Sequence, residues 1–273
     1  MTIIVDSDTC TRCEICSEVC PMAIIDPADA ETLPVVRREK AGMCISCGHC
    51  EAFCPTGALV QGSETTGGKV RAGPTAGREI SPDHLGIYLK SRRSVRQYRP
   101  EPVARETIRS ILDIARYAAS GGNRQPVEWL VIHDPRDVQK VASLTIDWMQ
   151  ELARSNHPMS AYAPHLIDAY KNGTDVICRG APNLLIPHIP EENQTAPVDA
   201  IIALTYVDIT APAFGVGTCW AGFVAMASRS HKPLLDFYSL PEGRMAAYAM
   251  MLGYPQYNPK HIPGRNPLKI TWK

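Results

Sequence analysis

Apolar positions recur with two different periods along this chain, and together they predict a mixed fold. Thr107 to Ala119 places Ile108, Ile111, Leu112, Ala115 and Ala119 at helical spacing. Trp129 to His133 is a short apolar run that reads as a buried strand, and Asp137 to Ala153 returns to a helical pattern. Leu184 to Ile186 predicts a second strand. Val198 to Phe214 is apolar nearly all round, which predicts a buried helix. Met245 to Leu252 predicts a further strand, closed by Gly253-Tyr254-Pro255. Upstream, Ser81-Pro82-Asp83 carries a helix start, with Ser81 as N-cap and proline at the first helical position. Strands and helices mixed in this order indicate an α+β or α/β domain from residue 81 to 273.

Residues 1–60 follow neither period for long. They form an internal repeat, because one cysteine run recurs after 34 residues. Residues 61–80 are rich in glycine and lack periodicity, so they read as a linker between two domains.

Composition narrows the class without deciding it. The chain has 273 residues, 45% hydrophobic and 21% charged, with net charge +0. Overall neutrality argues against a dedicated nucleic-acid binder. No apolar run reaches the roughly 18 residues expected of a membrane span. The opening Met1-Thr2-Ile3-Ile4-Val5-Asp6 has no basic region before an apolar one, so no export signal is expected and the cytoplasm is the expected location. The charge is unevenly spread. Residues 1–60 hold nine acids and four bases, a formal −5, which leaves +5 on the remainder. An acidic carrier joined to a more basic body suits redox docking, and equally suits ordinary surface charge.

The chemistry of residues 1–60 lies in their cysteines. The runs are Cys10-x-x-Cys13-x-x-Cys16-x-x-x-Cys20-Pro21 and Cys44-x-x-Cys47-x-x-Cys50-x-x-x-Cys54-Pro55. Three thiolates at this spacing wrap one corner of a [4Fe–4S] cube and send the fourth cysteine away. Zinc sites use paired ligands at wider gaps, which disfavours structural zinc. The duplicated pattern resembles a bacterial two-cluster ferredoxin, in which the fourth cysteine of each run ligates the other cluster. That resemblance implies two [4Fe–4S] clusters. One would be held by Cys10, Cys13, Cys16 and Cys54, the other by Cys44, Cys47, Cys50 and Cys20.

Four segments carry the chemistry of the second domain. Ser91-Arg92-Arg93-Ser94-Val95-Arg96 groups three arginines and two hydroxyls at a helix end, a set able to seize a phosphate by bidentate hydrogen bonds. Ser120-Gly121-Gly122-Asn123-Arg124-Gln125-Pro126 offers paired glycines for close approach to a planar ligand, with amides as donors and acceptors. Gly215-Val216-Gly217-Thr218-Cys219-Trp220-Ala221-Gly222 follows the long apolar helix. It is no dinucleotide fingerprint, because a helix precedes it instead of a strand. Gly253-Tyr254-Pro255 and Pro263-Gly264-Arg265 come last.

With Ala181-Pro182, and in this order, these motifs resemble the nitroreductase family of FMN enzymes over roughly residues 88–270. The whole chain therefore resembles a ferredoxin–nitroreductase fusion. The resemblance implies an α+β sandwich and a homodimer with FMN at the interface. It implies that Arg92 and Arg265 hold the FMN phosphate, with Arg93 a further contact. Ser94 and Arg96 would lie near the ribityl chain and pyrimidine edge, where a cation stabilises negative charge on the reduced ring. Asn123 would bond the ring's polar edge, and Ser120 and Gln125 belong to the same loop, which in this family often reaches the partner subunit's flavin. Thr218, Cys219, Trp220, Ala221 and Gly222 would supply contacts beside N5. Many members carry an aromatic directly after Gln-Pro, whereas here Val127 and Glu128 precede Trp129.

The remaining candidates have plainer readings. Cys178 reads as a spare thiol and Cys219 as packing. His157, His165, His188 and His231 lack paired ligand spacing. Trp148, Tyr162 and Tyr170 could line a substrate cleft, but surface or core packing is the better reading for any one of them. The expected function is an FMN reductase fed by its own clusters, acting on a nitroaromatic, quinone or activated alkene. Reduced ferredoxin or NAD(P)H is the expected external donor. Reverse flow, and a redox relay or sensor without substrate, are the rival readings. No side chain is assigned a catalytic role.

Overall fold

The computed structural model describes residues 3–62 and 80–273. The chain divides into two compact units, residues 1–76 with 122–124, and residues 77–121 with 125–273. The expected linker at 61–80 lies almost entirely outside the described residues.

The first unit builds small elements around its cysteines. Its strands are β1 (Ile3–Val5), β2 (Ile25–Asp26), β3 (Val35–Val36) and β4 (Leu59–Gln61). β1 pairs antiparallel with β4, and β2 with β3. One-turn helices α1 (Ile15–Glu18) and α2 (His49–Ala52) stand 34 residues apart, as the repeat requires. The repeat extends to the backbone. Arg12 and Glu14 have φ of 54° and 62°, and their counterparts Ser46 and Gly48 have 54° and 72°. These left-handed residues coil each cysteine run so that successive thiols face inward. The buried apolar core is thin, consisting of Cys16, Ile24, Ile25 and Leu59, and the partly buried side chains packed on it include Cys20, Cys44, Cys50 and Cys54.

The second unit is a central antiparallel sheet with helices on both faces. Its elements run α3 (Pro82–Ser91), α4 (Arg105–Ala115), β5 (Glu128–Ile132), α5 (Pro135–Leu152), α6 (Ala163–Lys171), β6 (Asn183–Pro190), α7 (Ala196–Thr210), β7 (Gly217–Trp220), α8 (Gly222–Ala227), α9 (Lys232–Tyr238), β8 (Arg244–Ala246) and β9 (Met250–Gly253). The strand order is β5-β6-β9-β7, and β8 also pairs with β6. Ser81 caps α3 as expected, its Oγ accepting from the His84 N–H at 3.2 Å.

Strand alternation divides the core into two layers. Leu184, Ile186, Cys219 and Met251 face α5, α6, α8 and α9. Leu185, Met250 and Leu252 face α4 and α7. Both faces of the sheet are covered, so residues 183–189 of β6 are all buried, Asn183 and His188 included. Pro187 sits within it at no cost to the ladder. β9 pairs with residues 183–185 and β8 with 188–190, so the proline falls where the partner strand is interrupted.

Three expectations need correction. The strand expected over 245–252 is two strands, broken at residues 247–249, because the chain bulges past Pro187. The apolar helix over 198–214 is α7 followed by a 3-10 turn, Ala211–Phe214, and it is not buried all round. Ala200, Ala203, Leu204 and Val207 pack inward while Val198 is 62% exposed. By length and composition the stretch Ala196–Phe214, with mean hydropathy 1.3, reaches the threshold for a membrane span, where none was expected. In the fold it packs on α4 and the sheet. Trp148 packs into the core, the better of its two readings, since α5 buries Val138, Val141, Thr145, Trp148 and Leu152 along one helical face. Tyr170 packs on the same core, and Tyr162 is exposed.

Candidate functional site

The eight N-terminal cysteines fall into two sets of four around separate cavities. Cys20, Cys44, Cys47 and Cys50 line one, with Ile3, Met22, Ile24 and Val36. Cys10, Cys13, Cys16 and Cys54 line the other, with Val5, Arg12, Thr56 and Leu59. Among the described residues no three His, Cys, Asp or Glu side chains converge as a single ion requires. Four thiols spread over the wall of an apolar cavity fit a cluster instead, so the donor set suits the group that the cysteine spacing implies. Each run sends its last cysteine to the other run's cavity. Burial pushes the Cys50 thiol up to about 11 and also raises Cys16, because desolvation penalises the thiolate.

The two cavities differ in their polar neighbours. The Thr56 hydroxyl lies 3.7 Å from Cys54 Sγ in one. In the other, Gln61 Nε2 donates to Cys44 Sγ at 3.9 Å. Hydrogen bonds to cluster sulfur raise reduction potential. If each cavity holds a cluster, as the cysteine spacing implies, Gln61→Leu should lower the potential of the one at Cys20, Cys44, Cys47 and Cys50 alone, and Thr56→Val that of the other. A potentiometric titration followed by electron paramagnetic resonance checks this, and one shift common to both clusters would refute the assignment.

In the second unit the first and third motifs meet. α3 ends at Arg92, and the chain then runs beside β7, with the Val95 N–H donating to the Thr218 carbonyl at 2.8 Å. Gly217 and Gly253 are register partners on β7 and β9, and together they open a flat seat for this segment. A Cβ on Gly217 would stand 2.8 Å from Val95 Cβ, and one on Gly253 2.7 Å from both Tyr98 Cδ1 and Pro182 Cδ. Only glycine fits at either position. Tyr98 is pinned by its hydroxyl to the Val95 carbonyl at 2.7 Å, and Gln256 N–H to the Gln97 carbonyl ties on the start of the C-terminal segment.

Arg92, Arg93, Ser94 and Arg96 thus sit beside Thr218, Cys219 and Trp220. Arg93 Nη1 donates to the Arg92 carbonyl, and Arg96 Nη1 lies 3.5 Å from the Ser94 carbonyl. Burial pushes the Cys219 thiol up, against the opposing pull of Arg96, Arg179 and the Ser94 hydroxyl. Cys178 is fully buried and its thiol is raised well above the ordinary value, consistent with an inert core thiol. After Trp220, the Ala221 N–H donates to the Ala249 carbonyl at 2.9 Å and Gly222 opens α8.

The sequence reading missed Asp208. This α7 carboxylate, 6% exposed, accepts from the Thr218 hydroxyl and from Trp220 Nε1 at 3.1 Å, and lies 3.5 Å from Arg92 Nη1. No motif marks it. The available signal was an acid inside an otherwise apolar helix, which must find partners to be buried.

The remaining predicted residues are placed elsewhere. Ser120 Oγ accepts from the Gln125 N–H at 3.0 Å, closing a tight loop in which Asn123 and Gln125 have φ of 53° and 47°. The Gly121 N–H donates to Asp199 at 3.0 Å. Asp199 and Asp208 are nine residues apart on α7, about 13 Å at 1.5 Å per residue. Within one chain the Ser120–Gln125 loop is therefore anchored away from the arginine segment. Arg244 clamps the far end of that loop, donating to the Pro126 and His188 carbonyls at 3.0 and 2.8 Å while pairing with Glu128 at 3.1 Å. This explains the departure after Gln-Pro: Glu128 serves the clamp. Arg265 lies in the exposed segment after Pro255 and meets none of the others.

Comparison with known proteins identifies the family of each unit. The sequence signature of the Nitroreductase family matches residues 89–254, and that of the 4Fe-4S dicluster domain matches residues 9–59. A 4-nitrobenzoate reductase of Pseudomonas putida is 27% identical over 201 residues, covering 64% of this chain and 87% of its own. Among solved structures, a nitroreductase with bound FMN from Bacteroides fragilis superposes with TM-score 0.56 at 20% identity, covering 69% of this chain and 97% of that one. A BluB-like flavoprotein from Clostridium difficile 630 also reaches 0.56 at 20% identity, over 67% and 94%. With the family signature spanning more than half its length and a cluster-binding unit ahead of it, this chain belongs to the nitroreductase family of oxidoreductases.

Proposed function

We propose that this oxidoreductase carries two [4Fe–4S] clusters and FMN, and moves electrons from the clusters to the flavin and on to an organic acceptor. The observation that carries the reading is the pairing, in one chain, of two four-cysteine cavities with a nitroreductase-family unit. Bound clusters would supply single electrons, and bound FMN would collect two and release them as hydride. Covalent linkage of donor and acceptor units raises their effective concentration.

The chain's own residues divide the work of binding. Arg92 and Arg265 hold the FMN phosphate with Arg93 nearby, because guanidinium forks match phosphate oxygens. Ser94 and Arg96 face the ribityl and pyrimidine side, and Thr218 to Gly222 form the wall beside N5. Ser120, Asn123 and Gln125 serve the flavin held mainly by the partner subunit of a homodimer. Two features support this arrangement. The Ser120–Gln125 loop is anchored about 13 Å along α7 from the arginine segment. The chain beyond Pro255 is exposed and carries large apolar residues, with Leu268 at 84% and Trp272 at 86% exposure. Candidate acceptors are nitroaromatics, the substrate class named for the Pseudomonas relative, together with quinones and activated alkenes. The donor in this direction is reduced ferredoxin, NAD(P)H being the hydride donor of the rival, reversed flow, and the setting is the cytoplasm.

An anaerobic titration that follows cluster and flavin bands separately tests the direction. Reduced ferredoxin, or a low-potential dye in its place, should reduce the clusters first and the flavin after them. Immediate bleaching of the flavin by NADH or NADPH, ahead of the clusters, would reverse the proposed flow.

A further inference from the structure

Asp208 belongs to no motif, yet three groups from two elements converge on its carboxylate. Thr218 and Trp220 come from β7, on the sheet face that i and i+2 share, and Arg92 comes from the end of α3. Two of the three, the indole N–H and the guanidinium, can only donate. A carboxylate supplies two acceptor oxygens and a compensating charge in one group. An amide could keep its oxygen on Trp220 and Arg92 and turn its NH2 to the Thr218 hydroxyl, which can accept, but it would lose the charge that faces the guanidinium.

We propose that Asp208 is the positioning residue of the flavin site. It sets the Arg92 guanidinium for the phosphate and the Thr218–Trp220 backbone for the ring, from a single buried charge on α7. This deepens the FMN reading above and rests on it. The link is physical. Arg92 at one end of the arginine segment and Thr218 beside Val95 are both tied to the same carboxylate, so losing it frees the segment and the strand together. Arg92 also needs a counter-charge before flavin arrives, and Asp208 supplies it.

The test uses the full-length, cluster-loaded protein stripped of flavin under anaerobic conditions. FMN dissociation constants are read from quenching of flavin fluorescence, beside thermal melts. Asp208→Asn should weaken FMN by about tenfold or more, the scale of losing a hydrogen bond to a charged group. Asp208→Glu, which keeps both oxygens and the charge, should recover part of that loss. The losses from Asp208→Asn and Arg92→Ala should overlap in the double variant, because one acts through the other. Trp220→Phe removes a single donor from the same carboxylate, keeps the ring packing, and serves where an Asp208 variant does not fold. It should weaken FMN in a protein that melts near wild type.

Equal FMN affinity in wild type and Asp208→Asn would overturn the proposal and leave the flavin reading standing. So would affinity losses that are additive with Arg92→Ala and no smaller for the Glu variant. Failure of the wild-type chain to take up FMN at all would overturn the flavin reading itself, and this proposal with it.

Discussion

Cys20→Ala is expected to destroy the cluster of the second cysteine run and spare that of the first, although Cys20 belongs to the first run by sequence. Cys20 lines the cavity of Cys44, Cys47 and Cys50, whereas Cys54 lines that of Cys10, Cys13 and Cys16. Iron should fall from about eight to about four per chain, the content of one [4Fe–4S] cluster. Cys54→Ala should give the mirror result, with the other cluster's resonance surviving. Iron and sulfide assays with electron paramagnetic resonance on both variants decide it. Loss of the Cys10, Cys13 and Cys16 cluster in Cys20→Ala would show that the ligands do not cross. The effect should extend to stability. The first unit's core is four buried residues with cysteines packed against them, too little apolar surface to hold a domain of about 60 residues. A variant lacking one cluster should therefore be cleaved by protease in its first unit well before the second unit is attacked.

Gly217→Ala is expected to unseat the arginine segment. The added Cβ would meet Val95 Cβ at 2.8 Å and Pro255 Cγ at 3.0 Å, and a β-branched side chain on a pinned backbone has little room to yield. Overpacking of this kind costs about 1–3 kcal/mol. In a domain of this size that is a melting temperature lower by roughly 3–10 °C. Flavin content should fall with it, because relief of the clash breaks the Val95-to-Thr218 hydrogen bond and carries Arg92 to Arg96 off the strand. Gly215→Ala is the contrast. Gly215 has φ of 69° but open space around it, so the cost is backbone strain alone and flavin retention should hold. A Gly217→Ala protein that melts like wild type with a full complement of flavin would refute the role assigned to the paired glycines.

Much of this was legible in the residues because the chemistry tolerates few alternatives. The two sets of four cysteines that the ferredoxin resemblance implied are the sets that line the two cavities, and the left-handed turns at Arg12, Glu14, Ser46 and Gly48 execute the wrapping. The arginine segment and the run from Gly217 to Gly222 were readable as motifs, and the structure brings them side by side. The elements around them were readable by period, because burial on one face leaves a repeating trace. Trp148 and Tyr170 could be cleft residues by type, but packing was the better reading, and helical spacing on α5 turns Trp148 into the core.

By itself the sequence determined the two-unit plan, the paired cysteine runs, the mixed fold and the glycine-bearing motifs, because each is a local requirement written in neighbouring residues. Only the tertiary structure decided that the strand over 245–252 breaks opposite Pro187, that α7 leaves one face exposed, and that the Ser120–Gln125 loop is anchored apart from the arginine segment. Only it showed that Asp208 gathers Thr218, Trp220 and Arg92. These outcomes depend on which distant segments meet, and one carboxylate in an apolar helix states that it needs partners without stating which ones.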